Sequence, residues 1–136
     1  MYRKIMVAVD GSFHAEMAAR YAIHLAFACG AELYVVHVGE SAAGRASLDR
    51  VVWYANSQSV DAHPIVETGE VVNTIVSIVR REDIDLTVAS FRHFFEKTII
   101  RDIMTTLPSS VLAIRVAHPG KMAHLRKILV PVIGGA

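Results

Sequence analysis

The sequence has little of what marks several specialised classes of protein. Its 136 residues include one cysteine, Cys29, whereas a secreted scaffold of this size usually has several paired cysteines. Its first apolar run, 5–9, is too short for a signal peptide or a membrane span. The net charge is +1 and the basic residues are scattered, so no field attracts nucleic acid or an anionic membrane. We therefore expect a cytoplasmic protein with neither partner.

What the sequence does have is an alternation of buried strands and helices. Hydrophobic residues make up 53% of the chain, enough for one core without metals or disulfides. Runs of β-branched residues and helical spacing predict strands at 5–9, 33–38, 63–67, 86–89 and 111–116 and helices at 13–29, 47–60, 71–79 and 99–107. The alternation favours βαβ crossovers and a parallel sheet with helices on both faces.

In such a sheet, ligands bind beyond the carboxyl ends of the strands, where the strand order reverses. This rule places Asp10–Ser12, Val38–Glu40 and Ala89–His93 around one crevice.

The C-terminal residues partly repeat the N-terminal ones. Lys4–Ser12, KIMVAVDGS, reappears at Lys127–Gly135 as KILVPVIGG, with identity at Lys, Ile, both Val and the first Gly. We therefore expect a domain at 1–117, a linker at 118–126, and at 127–136 the first strand of a truncated second repeat. The alternative is that one buried strand resembles any other.

Four segments in order, KIMVAVDGS, LYVVHV, IDLTVAS and PSSVLAIRV, resemble the universal stress protein family over residues 3–116. The resemblance implies an open, Rossmann-like sheet of five parallel strands and, commonly, a homodimer formed through the last strand. In nucleotide-binding members, the residue matching Asp10 lies near the ribose and the residue matching Val38 lies near adenine.

The family's phosphate-binding loop is not matched. The members of the family that bind ATP carry Gly-x-x-Gly, then nine residues, and then Gly-Ser or Gly-Thr, because glycine lets backbone amides approach the phosphates. Here Ser90 and His93 stand at the two glycine positions, and three residues separate His93 from Lys97–Thr98. The segment is similar to the branch of the family that does not bind ATP. We expect no tightly bound ATP and no other cofactor.

The side chains that replace the loop allow two interpretations each. Arg92, His93, Lys97 and Thr98 either hold an anion or form a solvated loop. The rings of Phe91, Phe94 and Phe95 either stack on a base or fill the vacated crevice, and we expect Phe94 or Phe95 to fill it. Asp10 either contacts a ribose or bonds amides in its own turn.

No pattern indicates an enzyme or a metal site. His14 and His24 are about three turns apart on one helix, so they cannot share a metal. His93, His118 and His124 have no zinc-type spacing. Cys29 falls on the buried face of the first helix, where a thiol is inert. The sequence has no nucleophile elbow and no Walker loop.

Three alternative functions are consistent with these features of the sequence. The first is a regulatory module that dimerises and engages other proteins. The second is a weak nucleotide binder or ATPase that uses Asp10, Val38, Arg92 and Lys97. The third is a regulatory domain of a larger tandem or transporter-fused protein.

The predicted last strand is the expected dimer interface. It contains neither proline nor lysine, the usual devices against edge pairing. A homodimer, or a pseudo-dimer with a second repeat, would then form along Val111, Leu112, Ala113, Ile114, Arg115 and Val116. The strand predicted at 127–132 could compete for this edge, either by folding back or by crossing to the partner subunit.

Overall fold

The computed structural model describes residues 2–91, 106–116 and 125–130, and within these ranges six strands form one sheet. The strands are β1 (Lys4–Ala8), β2 (Glu32–Val38), β3 (Ala62–Glu67), β4 (Leu86–Phe91), β5 (Ser110–Val116) and β6 (Leu125–Val130). Their order is β3-β2-β1-β4-β5-β6. The first five are parallel and β6 is antiparallel to β5. The predicted parallel sheet with an extra C-terminal strand is confirmed.

Three helices connect the strands: α1 (Phe13–Cys29), α2 (Ala42–Ser57) and α3 (Val71–Glu82). The predicted bounds of α1 are correct, because the Ser12 hydroxyl accepts a hydrogen bond from the amide of Ala15 and Gly30 ends the helix at φ 65°. Apart from its last two residues, the predicted helix at 99–107 lies outside the described residues. No helix within those residues combines the length and apolar character needed to cross a membrane.

Both faces of the sheet are buried, which explains why its strands read as continuous apolar runs. Side chains such as Ile5, Val7 and Leu33 pack in one core cluster with the inner residues of α1 and α2. Their neighbours along the strands, such as Met6 and Val36, pack with residues of α3 on the other face. Helices on both faces of the sheet are thus confirmed.

The outer side of β5 is occupied by the chain itself. Leu112 pairs with Leu129 and Ala113 with Ile128 in an antiparallel register, so β6 forms this edge of the sheet. The expectation that 111–116 is the edge strand is therefore wrong for the single chain. The predicted C-terminal strand begins at Leu125 rather than Lys127, and it extends the sheet of the first domain.

Candidate functional site

The strand order reverses between β1 and β4, because the chain continues from β1 to β2 on one side and reaches β4 on the other. In an open parallel sheet, a crevice forms at the carboxyl ends of the strands at this point. Asp10 lies two residues after the end of β1, Val38 is the last residue of β2, and Ser90 is the penultimate residue of β4. The structure thus brings these three predicted residues to the same end of the sheet.

Asp10 is exposed and shapes the turn between β1 and α1. Its Oδ1 accepts a hydrogen bond of 2.9 Å from the amide of Ser12, and Ser12 caps α1 through a 3.2 Å bond from the amide of Ala15. The turn interpretation of Asp10 is therefore correct for one carboxylate oxygen. For Oδ2, the hydrogen bonds of the described residues include no partner.

Val38 is half-buried where β2 ends. It packs against the core cluster on the α3 face, together with Ala8, Ile65 and Val72. Its partly covered side chain provides an apolar surface of the kind that a flat aromatic ring packs against.

The first turn of α2 closes the other side of this region. Gly11 has φ +92°, and a Cβ built on it would lie 2.9 Å from the Cβ of Ala43. Glycine at position 11 therefore serves both the backbone angle and the close approach of the helix. This helix begins at Ala42, earlier than the predicted residue 47, because the Ser41 hydroxyl accepts a 3.0 Å hydrogen bond from the amide of Gly44.

His37 was not among the predicted site residues, yet its ring fixes the position of the first turn of α2. The side chain is 3% exposed, and its Nδ1 lies 2.9 Å from the carbonyl oxygen of Val9. Since a carbonyl only accepts, Nδ1 carries the hydrogen and the imidazole donates. A Cβ on Gly44 would lie 2.0 Å from His37 Cε1, so only glycine fits against the ring. The sequence signal that could have indicated this close contact is a glycine in the first turn of a helix, three residues after a serine cap.

Strand β4 is longer than predicted. Ser90 pairs with Ile114 and Phe91 with Arg115, so the strand ends at Phe91 and not at Ala89. The predicted glycine-position residue Ser90 is thus part of a paired strand. Arg92, His93, Lys97 and Thr98 lie outside the described residues, as do Phe94 and Phe95.

The order of strands, the helices on both faces and the crevice at the reversal define a doubly wound α/β protein. The sequence model of the Universal stress protein family matches residues 1–53. The assignment to that family made from the sequence is thereby confirmed over the N-terminal part, and the fold of the remaining sheet agrees with it. A comparison with curated proteins gives no match.

Solved structures share this fold. A universal stress protein in complex with cAMP is 20% identical with a TM-score of 0.72, over 82% of this chain and 95% of that one. A universal stress protein family protein from Arabidopsis thaliana with AMP bound is 17% identical with a TM-score of 0.73, over 88% and 94%. A universal stress protein from Archaeoglobus fulgidus is 21% identical with a TM-score of 0.70, over 81% of this chain but 42% of that one. At these identities the likeness shows the fold alone.

Proposed function

We propose that this chain is a cytoplasmic regulatory module of the universal stress protein type that binds protein partners, has no enzymatic activity and does not hold ATP tightly. The observation that carries the proposal is the extension of β4 through Ser90 and Phe91. A phosphate-binding loop needs backbone amides that are free to point at the phosphates. In this chain the position of the loop's first glycine lies in a strand paired with β5.

The sequence supports the same proposal. Between Ser90 and Thr98 there is no glycine, and the segment is shorter than the loop of the family's ATP binders. The adenosine side of the crevice is retained through Asp10 and Val38, while the phosphate side lacks its usual donors. The β- and γ-phosphates of ATP should therefore add no affinity.

Isothermal titration calorimetry with AMP and with Mg-ATP tests this proposal. We expect ATP to bind no more tightly than AMP, with a dissociation constant above about 10 μM for both. A dissociation constant below about 10 μM for ATP, or ATP binding tenfold tighter than AMP, would contradict it.

A second candidate function is weak binding of an adenine nucleotide. It is favoured by the position of Asp10 and Val38 at the strand reversal and by the cAMP and AMP bound to the two solved proteins of the same fold. If it is correct, Asp10→Ala removes AMP binding, and Arg92→Ala or Lys97→Ala weakens phosphate contacts. Asp10→Asn is the matched control for the turn, since an amide oxygen can still accept from Ser12. ATP turnover by the intact chain would favour the ATPase form of this candidate.

Assembly is the remaining part of the proposal. We propose that two copies associate at the β5–β6 end of the sheet, or that this end meets a second repeat in a longer protein. Among the two sheet edges, β3 carries Pro64, which cannot donate to a further strand. The Archaeoglobus fulgidus protein of which this chain covers 42% supports the tandem or fused alternative.

A further inference from the structure

Away from the crevice, at the amino ends of β2 and β3, three side chains bring metal-ligating atoms together. One ligand atom each of Glu32, Asp61 and His63 lies within 4.8 Å of the others. Leu33 pairs with Ala62 in the parallel register, so Glu32 lies beside Asp61. Asp61 and His63 are two residues apart on an extended segment and share one face of the sheet.

The imidazole nitrogen lies between the two carboxylates. His63 Nε2 is 3.2 Å from Glu32 Oε1 and 3.2 Å from Asp61 Oδ2. A ring nitrogen carries one hydrogen at most, and a good hydrogen bond needs an angle above about 150°, so one N–H cannot serve both oxygens well. A cation at the centre can instead be coordinated by the lone pair of the nitrogen and by both carboxylate oxygens at the same time.

The two distances from His63 Nε2 approach those of a small tetrahedral ion, and the two carboxylate oxygens lie within 4.8 Å of each other. With zinc–nitrogen and zinc–oxygen bonds of about 2.0–2.2 Å, neighbouring ligand atoms of a tetrahedron lie about 3.3–3.6 Å apart. Both measured distances from Nε2 are close to this range. Small rotations of the carboxylates, which are on the surface, complete the arrangement.

The histidine is held in place while the group stays open to solvent. The rings of His63 and Tyr34 stack with centroids 5.0 Å apart at an angle of 30°, and Tyr34 is 8% exposed. The side chains of Glu32 and His63 are 41% and 40% exposed, so an ion can enter from solution. A fixed imidazole lowers the entropy lost when the ligands gather.

We propose that Glu32, Asp61 and His63 bind a divalent transition metal of the zinc type, with water in a fourth position. One nitrogen among the ligands favours such a metal over magnesium or calcium, which prefer all-oxygen sites. The ion joins β2 to the edge strand β3. This site goes against the expectation of no metal, which considered only histidines at fixed spacing along the chain. The cross-strand register that places Glu32 beside Asp61 does not appear in the sequence.

The test is calorimetric titration of the untagged full chain with Zn²⁺ after dialysis against a chelator. We expect one ion per chain with a dissociation constant below about 10 μM, and no heat from Mg²⁺ at the same concentration. Asp61→Asn and His63→Gln should each weaken Zn²⁺ binding at least tenfold. His24→Gln, which removes an exposed histidine of α1, is the matched control and should leave binding unchanged.

Circular dichroism verifies that the variants are folded, and if His63→Gln does not fold, Asp61→Asn decides. The proposal is overturned if Zn²⁺ does not bind saturably, if Asp61→Asn binds it as tightly as the parent chain, or if His24→Gln weakens binding equally. Equal binding of Mg²⁺ would also overturn it.

Discussion

At the scale of the residue, the contact between His37 and Gly44 sets where α2 begins against the sheet. The imidazole donates to the carbonyl of Val9, the residue after β1, and lies against the first turn of α2. Two strands and one helix are therefore joined through one buried side chain next to the crevice. Little free volume remains for a larger residue at position 44.

Gly44→Ala tests this contact because packing and helix propensity predict changes of opposite sign in the free energy of unfolding. In an open helix, alanine in place of glycine stabilises by up to about 1 kcal/mol. Here the added methyl group meets the His37 ring, so we expect the free energy of unfolding to fall by about 1–3 kcal/mol in urea denaturation. In a His37→Ala background the same substitution should become neutral or stabilising. A gain of stability in the parent chain would show that the ring does not block the site.

Individual residues differ in how far the sequence predicts them. Asp10 could be assigned to the turn because an aspartate before Gly-Ser bonds to nearby amides whatever the rest of the chain does. The contact partner of His37 could not be assigned from the sequence, because a histidine within an apolar strand does not indicate which helix will cover it. Glu32, Asp61 and His63 were missed for the same reason, since strand register brings them together.

At the scale of the element, serine caps fix the start of two helices that border the crevice. Ser12 accepts from the amide of Ala15, and Ser41 accepts from the amide of Gly44. The predicted start of α2 was late because 42–46 contains no large apolar residue and therefore no helical period to detect. The predicted end of β4 was early because Ser90 interrupts the apolar run, although the backbone pairing continues.

Ser12→Ala and Ser41→Ala should each lower the free energy of unfolding by about 1 kcal/mol, because each leaves an amide of the first helical turn without its acceptor. The matched glycine variants should cost only a few tenths of a kcal/mol. Ser57→Ala, at the exposed C-terminal end of α2, should change stability by less than about 0.5 kcal/mol. Thermal denaturation followed by circular dichroism measures all five. Equal losses at positions 12 and 57 would contradict the role of the caps.

At the scale of the whole molecule, the five parallel strands were predictable because the same strand-and-helix pattern recurs along the chain. The place of β6 was not, because an isolated apolar strand does not specify its partner. Leu112 and Ile114 are 6% and 0% exposed and belong to the core, so lysine at either position would unfold the domain and give no information on assembly.

Assembly is better tested in the backbone of β6. We expect the parent chain to have twice the mass of one chain by light scattering at micromolar concentration. Residue 128 lies in β6, opposite Ala113 of β5. Ile128→Pro removes a backbone amide from β6 and disrupts this edge of the sheet, so it should yield monomers. Ala42→Pro is the proline control, because the first helical position tolerates proline. A monomeric parent chain, or a dimer that survives Ile128→Pro, would show that this end of the sheet is not the interface.

If the crevice has kept its adenosine side and lost its phosphate site, AMP and Mg-ATP should raise the thermal unfolding midpoint of the chain equally. A ligand at 100 times its dissociation constant adds about 2.7 kcal/mol to the free energy of unfolding. At 1 mM nucleotide we predict that the midpoint with Mg-ATP lies within about 1 °C of the midpoint with AMP. A midpoint raised by several degrees with Mg-ATP but not with AMP would contradict the account, because only a working phosphate site separates the two nucleotides.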